Sequence, residues 1–98
     1  MIYRLTGRLE PIAPRRALIE VRGVAYELQI TQRDVEALQL QHGRDAEVSV
    51  VTELIHRPTD ETPLLFAFAE ARARQAFRTL RNLPGLGPAK ALDVLDTA

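Results

Sequence analysis

The 98-residue sequence contains no cysteine and no tryptophan, and aromatic residues make up only 5% of it. The absence of cysteine excludes disulfides, thiol catalysis and thiolate metal sites, and it fits a reducing compartment. No apolar run reaches the roughly 18 residues that a membrane-spanning helix needs. The first ten residues, MIYRLTGRLE, alternate between apolar and polar side chains, which is not the pattern of a signal peptide. The sequence therefore predicts a cytoplasmic protein.

Candidate catalytic groups are equally scarce. His42 and His56 are the only histidines, and neither has the spaced carboxylates that a triad or a metal site requires. The segment GLGPAK lacks the spacing and the Ser/Thr of a nucleotide-binding P-loop. We therefore expect a protein that is not an enzyme and that carries no metal and no cofactor.

What is present is typical of a small folded domain, since 46% of residues are hydrophobic and 27% are charged. The formal net charge is zero, but the charges are unevenly distributed. Between residues 72 and 90 there are no acidic residues, and the basic ones are Arg72, Arg74, Arg78, Arg81 and Lys90. One interpretation is an anionic partner at this end of the chain. The alternative is an ordinary solvated helix face.

Period-two alternation of apolar residues predicts five strands. They cover residues 3–9, 17–21, 24–30, 46–55 and 64–68. Gly7 suggests a bend or a bulge in the first strand, and PIAPRR is expected to end it. The Arg22-Gly23 turn predicts a hairpin between the second and third strands. A short helix begins after Thr31, a favourable N-cap residue, and ends at Gly43.

Five curled strands with a helix between the third and fourth form the layout of an OB-fold barrel. A split sandwich is the alternative, but the chain is too short for two full sheets. From Ala69 the period changes to 3.6 and predicts a helix, followed by a turn over residues 82–87 and a second helix from Pro88. We predict an OB-fold barrel over residues 1–68 and a helix-hairpin-helix over residues 69–98.

The turn between these helices has the composition of a phosphate site. Gly85 and Gly87 permit positive φ angles and close approach by a ligand, and Leu86 can anchor the turn. The helix that begins at Pro88 directs its unpaired N–H groups and its positive dipole end to the same place. Lys90 adds a positive charge. LPGLGPAKAL resembles the helix-hairpin-helix motif, which binds DNA phosphates without reading bases; a plain turn between two helices is the alternative.

Four segments in order, MIYRLTGRLE, IEVRGVAYELQI, LLFAF and GLGPAKAL, resemble the RuvA family, the Holliday-junction-binding subunits of the bacterial branch-migration complex. The resemblance implies a homotetramer that holds a four-way DNA junction open. It implies hairpin motifs that grip duplex phosphates and an acidic pin near the junction centre. It also implies a non-catalytic subunit, with DNA movement driven by a RuvB-type ATPase.

Carried over to this sequence, the resemblance assigns two groups of residues, and the basic run of the sequence adds a third. The phosphate-binding turn comprises Gly85, Leu86, Gly87, Pro88, Ala89 and Lys90. The acidic pin maps to Asp60 and Glu61, in the loop between the fourth and fifth strands. The supporting basic residues are Arg78 and Arg81.

The sequence departs from the family pattern at several positions. Ala25 and Ala67 replace glycines, Phe66 replaces a tyrosine, and the lysine that usually follows the proline is Ala89. Lys90 lies one position later, about 100° around the helix. The loop of the pin is about two residues longer, and a second hairpin motif and a C-terminal domain are absent. We therefore expect either a fragment or a short relative that binds duplex arms weakly and does not recruit the ATPase.

Two other functions remain open from the sequence. An OB-fold can bind single strands by stacking bases on exposed aromatic rings, but the five aromatic residues here are predicted on buried faces: Tyr3, Tyr26, Phe66, Phe68 and Phe77. A protein-interaction or oligomerisation module is the other possibility. Its predicted interface is the apolar second face of the fourth strand, with Val51 and Ile55.

Overall fold

The computed structural model describes residues 3–97; Met1, Ile2 and Ala98, which belong to the predicted segments, lie outside the described residues. In chain order the elements are β1 (Arg4–Ala13), β2 (Arg16–Val21), β3 (Val24–Ile30), α1 (Gln32–His42), β4 (Glu47–Ile55), β5 (Leu64–Phe68), α2 (Ala71–Arg81) and α3 (Pro88–Thr97). The strands form a closed barrel in the order β1-β2-β3-β5-β4. β3 and β5 pair in parallel, and the other strand pairs within residues 3–97 are antiparallel. The predicted five-stranded OB-fold barrel is confirmed.

The first strand is longer than predicted. Residues 4–8 pair with β4, and residues 8–13 pair with β2. The segment PIAPRR does not end the strand at Leu9. The pairing with β2 continues to Ala13 because its register shifts between Pro11 and Ala13. Such an irregularity is where a sheet accommodates proline. One long strand therefore joins two neighbours and closes the barrel.

Gly7 is required in this strand by the approach of a neighbouring strand, and it does not form the predicted bulge. The pairing of β1 with β4 runs through Gly7 without a shift, so the residue is not a bulge. A Cβ at this position would overlap the carbonyl oxygen of Glu20 and lie 3.0 Å from Cγ2 of Val21. The glycine is needed because the backbone of β2 approaches it closely.

The turn between β2 and β3 is a two-residue hairpin connection. Both of its residues have positive φ angles, 50° at Arg22 and 85° at Gly23. This is the sign pattern of a type I′ turn, whose twist matches that of the flanking strands. The predicted hairpin is confirmed, with Val21 opposite Val24.

Helix α1 is tied to the barrel at its N-terminal end. The N–H of Asp34 donates to Oγ1 of Thr31 at 3.1 Å, so Thr31 is the predicted N-cap. The Asp34 carboxylate also accepts from the N–H of Ala69 at 3.0 Å. Burial raises the pKa of Asp34 above its ordinary value, although the Ala69 hydrogen bond acts in the opposite direction.

The hydrophobic residues form two clusters, one on each side of the sheet. The first fills the barrel and includes Ile19, Leu28 and Val50. The second lies between the outer face of β4–β5 and the two C-terminal helices, with members Val51, Ile55, Phe66, Phe68, Phe77, Ala91 and Leu92. Alternate residues of β5 supply opposite clusters, as expected for a strand buried on both faces. The prediction of an intermolecular interface at Val51 and Ile55 is wrong, because α2 and α3 of the same chain cover them.

None of the helices in residues 3–97 is long and apolar enough to cross a membrane.

Candidate nucleic-acid interface

The turn between α2 and α3 is closed by two backbone hydrogen bonds. The N–H of Leu83 donates to the carbonyl of Leu80 at 3.0 Å, and the N–H of Leu86 donates to the carbonyl of Leu83 at 3.1 Å. Gly85 has a φ of 80°, which a side chain disfavours. Gly87 does not have a positive φ, so the left-handed conformation that glycine permits is used at Gly85 and not at Gly87. Leu86 is half-buried.

The start of α3 presents backbone N–H groups to the surface. Pro88 is the first helical residue and has no N–H, and the N–H of Ala91 already donates to the Gly87 carbonyl at 3.0 Å. Within residues 3–97 the N–H groups of Gly87, Ala89 and Lys90 make no hydrogen bond, and all three residues are exposed. The first turn of a helix leaves such donors unpaired, and the dipole adds positive potential there. This end of α3 is therefore suited to an anion.

The basic run of the sequence is divided between the surface and the barrel. Arg74 is buried: its Nη1 donates to the carbonyl of Thr52 at 3.3 Å, and its guanidinium lies 4.0 Å from the centre of the Tyr3 ring. Nη2 of Arg78 lies 2.7 Å from Oε1 of Glu53, on β4. Both arginines therefore hold α2 on the barrel, and the five basic residues are not one positive surface.

Two basic side chains remain close to the turn in sequence. Lys90 is exposed and forms no ion pair with any described residue. Arg81 is half-buried, and its Nε is buried without a hydrogen-bond partner in the described part of the chain. Of the two supporting arginines predicted, Arg78 is thus neutralised by Glu53, whereas Arg81 retains an unsatisfied donor.

The loop predicted to carry the acidic pin spans residues 56–63, between β4 and β5. Its turn is closed by the N–H of Asp60 donating to the carbonyl of Arg57 at 3.0 Å, with Pro58 as the second residue. The Asp60 carboxylate accepts from Arg57 three times, from the backbone N–H at 3.1 Å, from Nε at 3.2 Å and from Nη2 at 3.0 Å. These bonds from Arg57 hold the pKa of Asp60 below its ordinary value. The side chain of Asp60 is only 13% exposed.

The neighbouring carboxylate of the loop behaves differently. Glu61 is exposed, and among residues 3–97 it forms no ion pair. Of the two predicted pin residues, Glu61 therefore presents its negative charge to solvent, whereas that of Asp60 is matched by Arg57.

The structure brings this loop next to the hairpin turn. A Cβ built at Gly87 would lie 3.8 Å from Nη1 of Arg57. Apart from atoms of Gly87 and its two chain neighbours, no other heavy atom of the described residues lies within 4 Å of that position. Arg57 is not among the site residues predicted from the sequence. The two residues are thirty positions apart, and nothing in the local pattern links them. Only the barrel, which places the end of β4 beside the start of α3, joins them.

The described residues include no group of three or more His, Cys, Asp or Glu side chains able to hold a metal ion.

Two of the aromatic residues bear on whether nucleic-acid bases could stack on this protein. Phe77 is fully buried between Phe66 and Phe68, at ring-centre distances of 5.0 Å from each. The expectation that every aromatic residue is buried is wrong at Tyr3, which is 52% exposed, although the guanidinium of Arg74 lies over its ring.

Comparison with known proteins gives relatives that extend over nearly all of the chain. A Holliday junction branch migration complex subunit RuvA from Acidovorax sp. (strain JS42) is 38% identical over 95 residues, which cover 97% of this chain and 47% of that protein. The protein of the same name from Pseudomonas entomophila (strain L48) is 39% identical over 97% of this chain and 44% of its own length. That from Bifidobacterium animalis subsp. lactis (strain AD011) is 31% identical over 99% of this chain and 44% of its own length.

This chain thus spans slightly less than half the length of these relatives. The family model described as RuvA N terminal domain matches residues 1–66, which contain β1 to β4 and the first three residues of β5. The hairpin lies beyond this match but within the alignments to the relatives. The chain belongs to the RuvA N-terminal domain family.

Proposed function

We propose that this chain is a non-sequence-specific DNA-binding module that recognises four-way (Holliday) junctions, as a non-catalytic subunit of a branch-migration machine in recombination and repair. The observation that carries the proposal is the set of N–H groups on three exposed residues at the start of α3, Gly87, Ala89 and Lys90, that make no hydrogen bond within residues 3–97. The names of the relatives, subunits of a Holliday junction branch migration complex, agree with it.

The contact is made by the backbone. Oxygens of one DNA phosphate accept hydrogen bonds from the N–H groups of Gly87, Ala89 and Lys90. The absence of a side chain at Gly87 lets the sugar-phosphate strand approach, and the charge of Lys90 attracts it. Phosphates are the same at every base pair, so a contact of this kind carries no sequence preference.

The loop between β4 and β5 supplies the acidic pin. Glu61 is the exposed carboxylate there. A negative charge directed at the junction centre raises the electrostatic free energy of the phosphates that approach it, and so favours their separation. Recognition of a junction, in contrast to linear duplex, depends on this repulsion at the centre together with attraction on the arms.

A single copy of the hairpin contacts one arm of duplex, whereas a four-way junction has four arms. We therefore propose a homotetramer, with one hairpin on each arm. The motor is a RuvB-type ATPase, and no described residue of this chain is assigned to its contact. The division into domains 1–68 and 69–98 remains a prediction, and its boundary coincides with the end of β5.

A gel-shift titration with a four-way junction, a linear duplex and poly-dT, each at two salt concentrations, tests the proposal. We expect the junction to bind most tightly and the logarithm of the binding constant to fall by about 0.9 per phosphate contact for each tenfold rise in salt. Tightest binding to poly-dT would instead identify a single-strand binder. No shift of any DNA at low salt would overturn the proposal.

A variant separates the backbone contact from general charge. Gly87→Leu places a branched side chain at an exposed position, over the N–H groups at the start of α3. We expect it to abolish junction binding while leaving the thermal unfolding temperature nearly unchanged. Leu40→Ala is the matched control, because Leu40 is 90% exposed on α1 and lies outside the hairpin. Equal binding by both variants would mean that DNA does not contact the turn.

A further inference from the structure

Arg57 lies beside the proposed phosphate site. Its Nη1 lies 3.8 Å from the position that a Gly87 Cβ would occupy, which is the space through which a DNA strand must come. The side chain of Arg57 is 46% exposed, so it is accessible to a ligand at this place.

The orientation of Arg57 is set by Asp60. The carboxylate occupies Nε, Nη2 and the backbone N–H of Arg57, which leaves Nη1 without a hydrogen bond among residues 3–97. Guanidinium is planar and rigid, so binding one of its edges fixes the direction of the other N–H groups. Nη1 is therefore held toward the turn with its two donors available.

The pairing also changes what Asp60 can do to DNA. A carboxylate with a guanidinium at 3.0 Å presents little net negative charge beyond the pair. The hydrogen bonds from Arg57 lower the pKa of Asp60, and those to Asp60 raise the pKa of Arg57, so both groups stay ionised at neutral pH. Repulsion of phosphates is then expected from Glu61 and not from Asp60.

We infer that Arg57 is an additional phosphate-binding residue of the hairpin site and that Asp60 is its positioning residue. The inference rests on the proposed function, because it uses the same DNA strand at the same turn. The N–H groups of α3 and Nη1 of Arg57 both donate to the phosphate. The loop between β4 and β5 thus carries an attractive residue and a repulsive one, Arg57 and Glu61.

A double-mutant cycle on the junction titration tests this assignment. We expect Arg57→Ala to weaken binding about fivefold and to lower the salt slope by about one phosphate contact. Asp60→Glu keeps the negative charge but moves the carboxylate, so it is expected to weaken binding about twofold in the native background, because the guanidinium is held less firmly. In the Arg57→Ala background, Asp60→Glu should no longer weaken it.

Glu61→Gln is the matched control, since it removes one negative charge from the same loop without touching Arg57. It should strengthen duplex binding in both backgrounds. If Asp60 acted on DNA only through its negative charge, Asp60→Glu would leave binding unchanged in the native background, and that result would overturn the positioning role.

Two further results separate this inference from the proposed function. If Gly87→Leu abolishes binding but Arg57→Ala leaves both the affinity and the salt slope unchanged, Arg57 does not touch DNA and only the inference fails. If the native chain binds none of the DNAs, both fail. Arg57→Lys covers the case in which Arg57→Ala perturbs the loop. It should keep the salt slope but lose affinity, because an ammonium group keeps the charge but lacks the paired, planar N–H donors of a guanidinium. Full retention of affinity by Arg57→Lys would contradict a role for the guanidinium held by Asp60.

Discussion

The barrel and the helical hairpin bury their apolar residues in different ways. The barrel closes on itself, so its inner cluster, including Ile19 and Leu28, is enclosed by strands paired on both sides. The hairpin has no such enclosure. Phe77, Ala91 and Leu92 lie against the outer face of β4 and β5. The position of the hairpin turn therefore depends on the barrel, whereas the hydrogen-bonded pairing of the barrel strands does not depend on the hairpin.

Polar contacts join the two regions at the end of α3. The Asp96 carboxylate accepts from Nε of Arg15, in the β1–β2 turn, at 2.8 Å, and from the N–H of Arg33, in the first turn of α1, at 3.1 Å. Nη2 of Arg15 also pairs with Asp93 at 2.6 Å. One carboxylate of α3 thus satisfies donors on two barrel segments. The comparison between the regions can be tested by removing their links one at a time.

Phe77→Ala should have the largest effect. The ring is fully buried against two others, and truncating such a residue costs about 3–5 kcal/mol. We expect native-state hydrogen exchange to show lost protection mainly in α2 and α3, with β1–β3 retaining theirs. Leu40→Ala, at an exposed position, should change neither the free energy of unfolding nor the hydrogen-exchange protection. Equal loss of protection throughout would mean that barrel and hairpin unfold as one unit.

Gly7→Ala tests the barrel itself. The added Cβ meets the main chain of β2, which cannot rotate away as a side chain would, and we expect about 3 kcal/mol of destabilisation in urea unfolding. Gly87→Ala is the control. Its Cβ has only the tip of Arg57 nearby and its φ is not positive, so it should cost less than about 0.5 kcal/mol. Similar losses for the two variants would contradict the close approach of β2 to Gly7.

Asp96→Ala removes the polar link between the regions and should cost about 2 kcal/mol at pH 7. Burial acts to raise the pKa of Asp96, but hydrogen bonds from Arg15 and from the N–H groups of Arg33 and Gln32 outweigh it, so the folded pKa lies below 3.8. This stabilisation is present above pH 3.8 and is lost as the pH falls through the folded value.

The urea stabilities of the native chain and of Asp96→Ala should therefore converge in acid. Asp93→Ala is the control, since Asp93 is 54% exposed and its ion pair is worth little. A difference between native and Asp96→Ala that persists unchanged at low pH would show that the carboxylate charge is not what joins α3 to the barrel.

Gly85→Ala should have the smallest effect, about 1 kcal/mol, because a Cβ disfavours the φ of 80° but meets no atom within 4 Å. Gly85→Asn should recover part of the loss, since asparagine tolerates this region better than alanine does. Thermal unfolding measures both. If alanine were harmless here, the positive φ of the turn would not be a constraint.

Much of the fold could be predicted because its cause is local. Alternation of apolar residues located all five strands, and Thr31 located the start of α1. Prediction failed where distant segments meet. The predicted end of β1 is wrong because its pairing with β2 continues past a register shift between Pro11 and Ala13. The role of Gly7 depends on the carbonyl of Glu20 in another strand.

The candidate site divides in the same way. The Gly-Leu-Gly-Pro turn can be predicted from the sequence because a positive φ and a helix start require those residue types within four positions. The pairing of the charged side chains around it cannot be predicted in this way. Arg74 and Arg78 belong to the basic run, yet they pair with groups on β4, more than twenty residues earlier. Asp60 is acidic in the sequence, but its charge is matched by Arg57.

The sequence alone determined the barrel strands, the helix between the third and fourth of them, and the hairpin turn, because each follows from side-chain periodicity or backbone preference over a few residues. Tertiary structure alone decided which charges face solvent and which residues surround Gly87. Electrostatic and packing partners are set by distance in space, and closing the barrel brings together side chains that lie more than twenty positions apart in the chain.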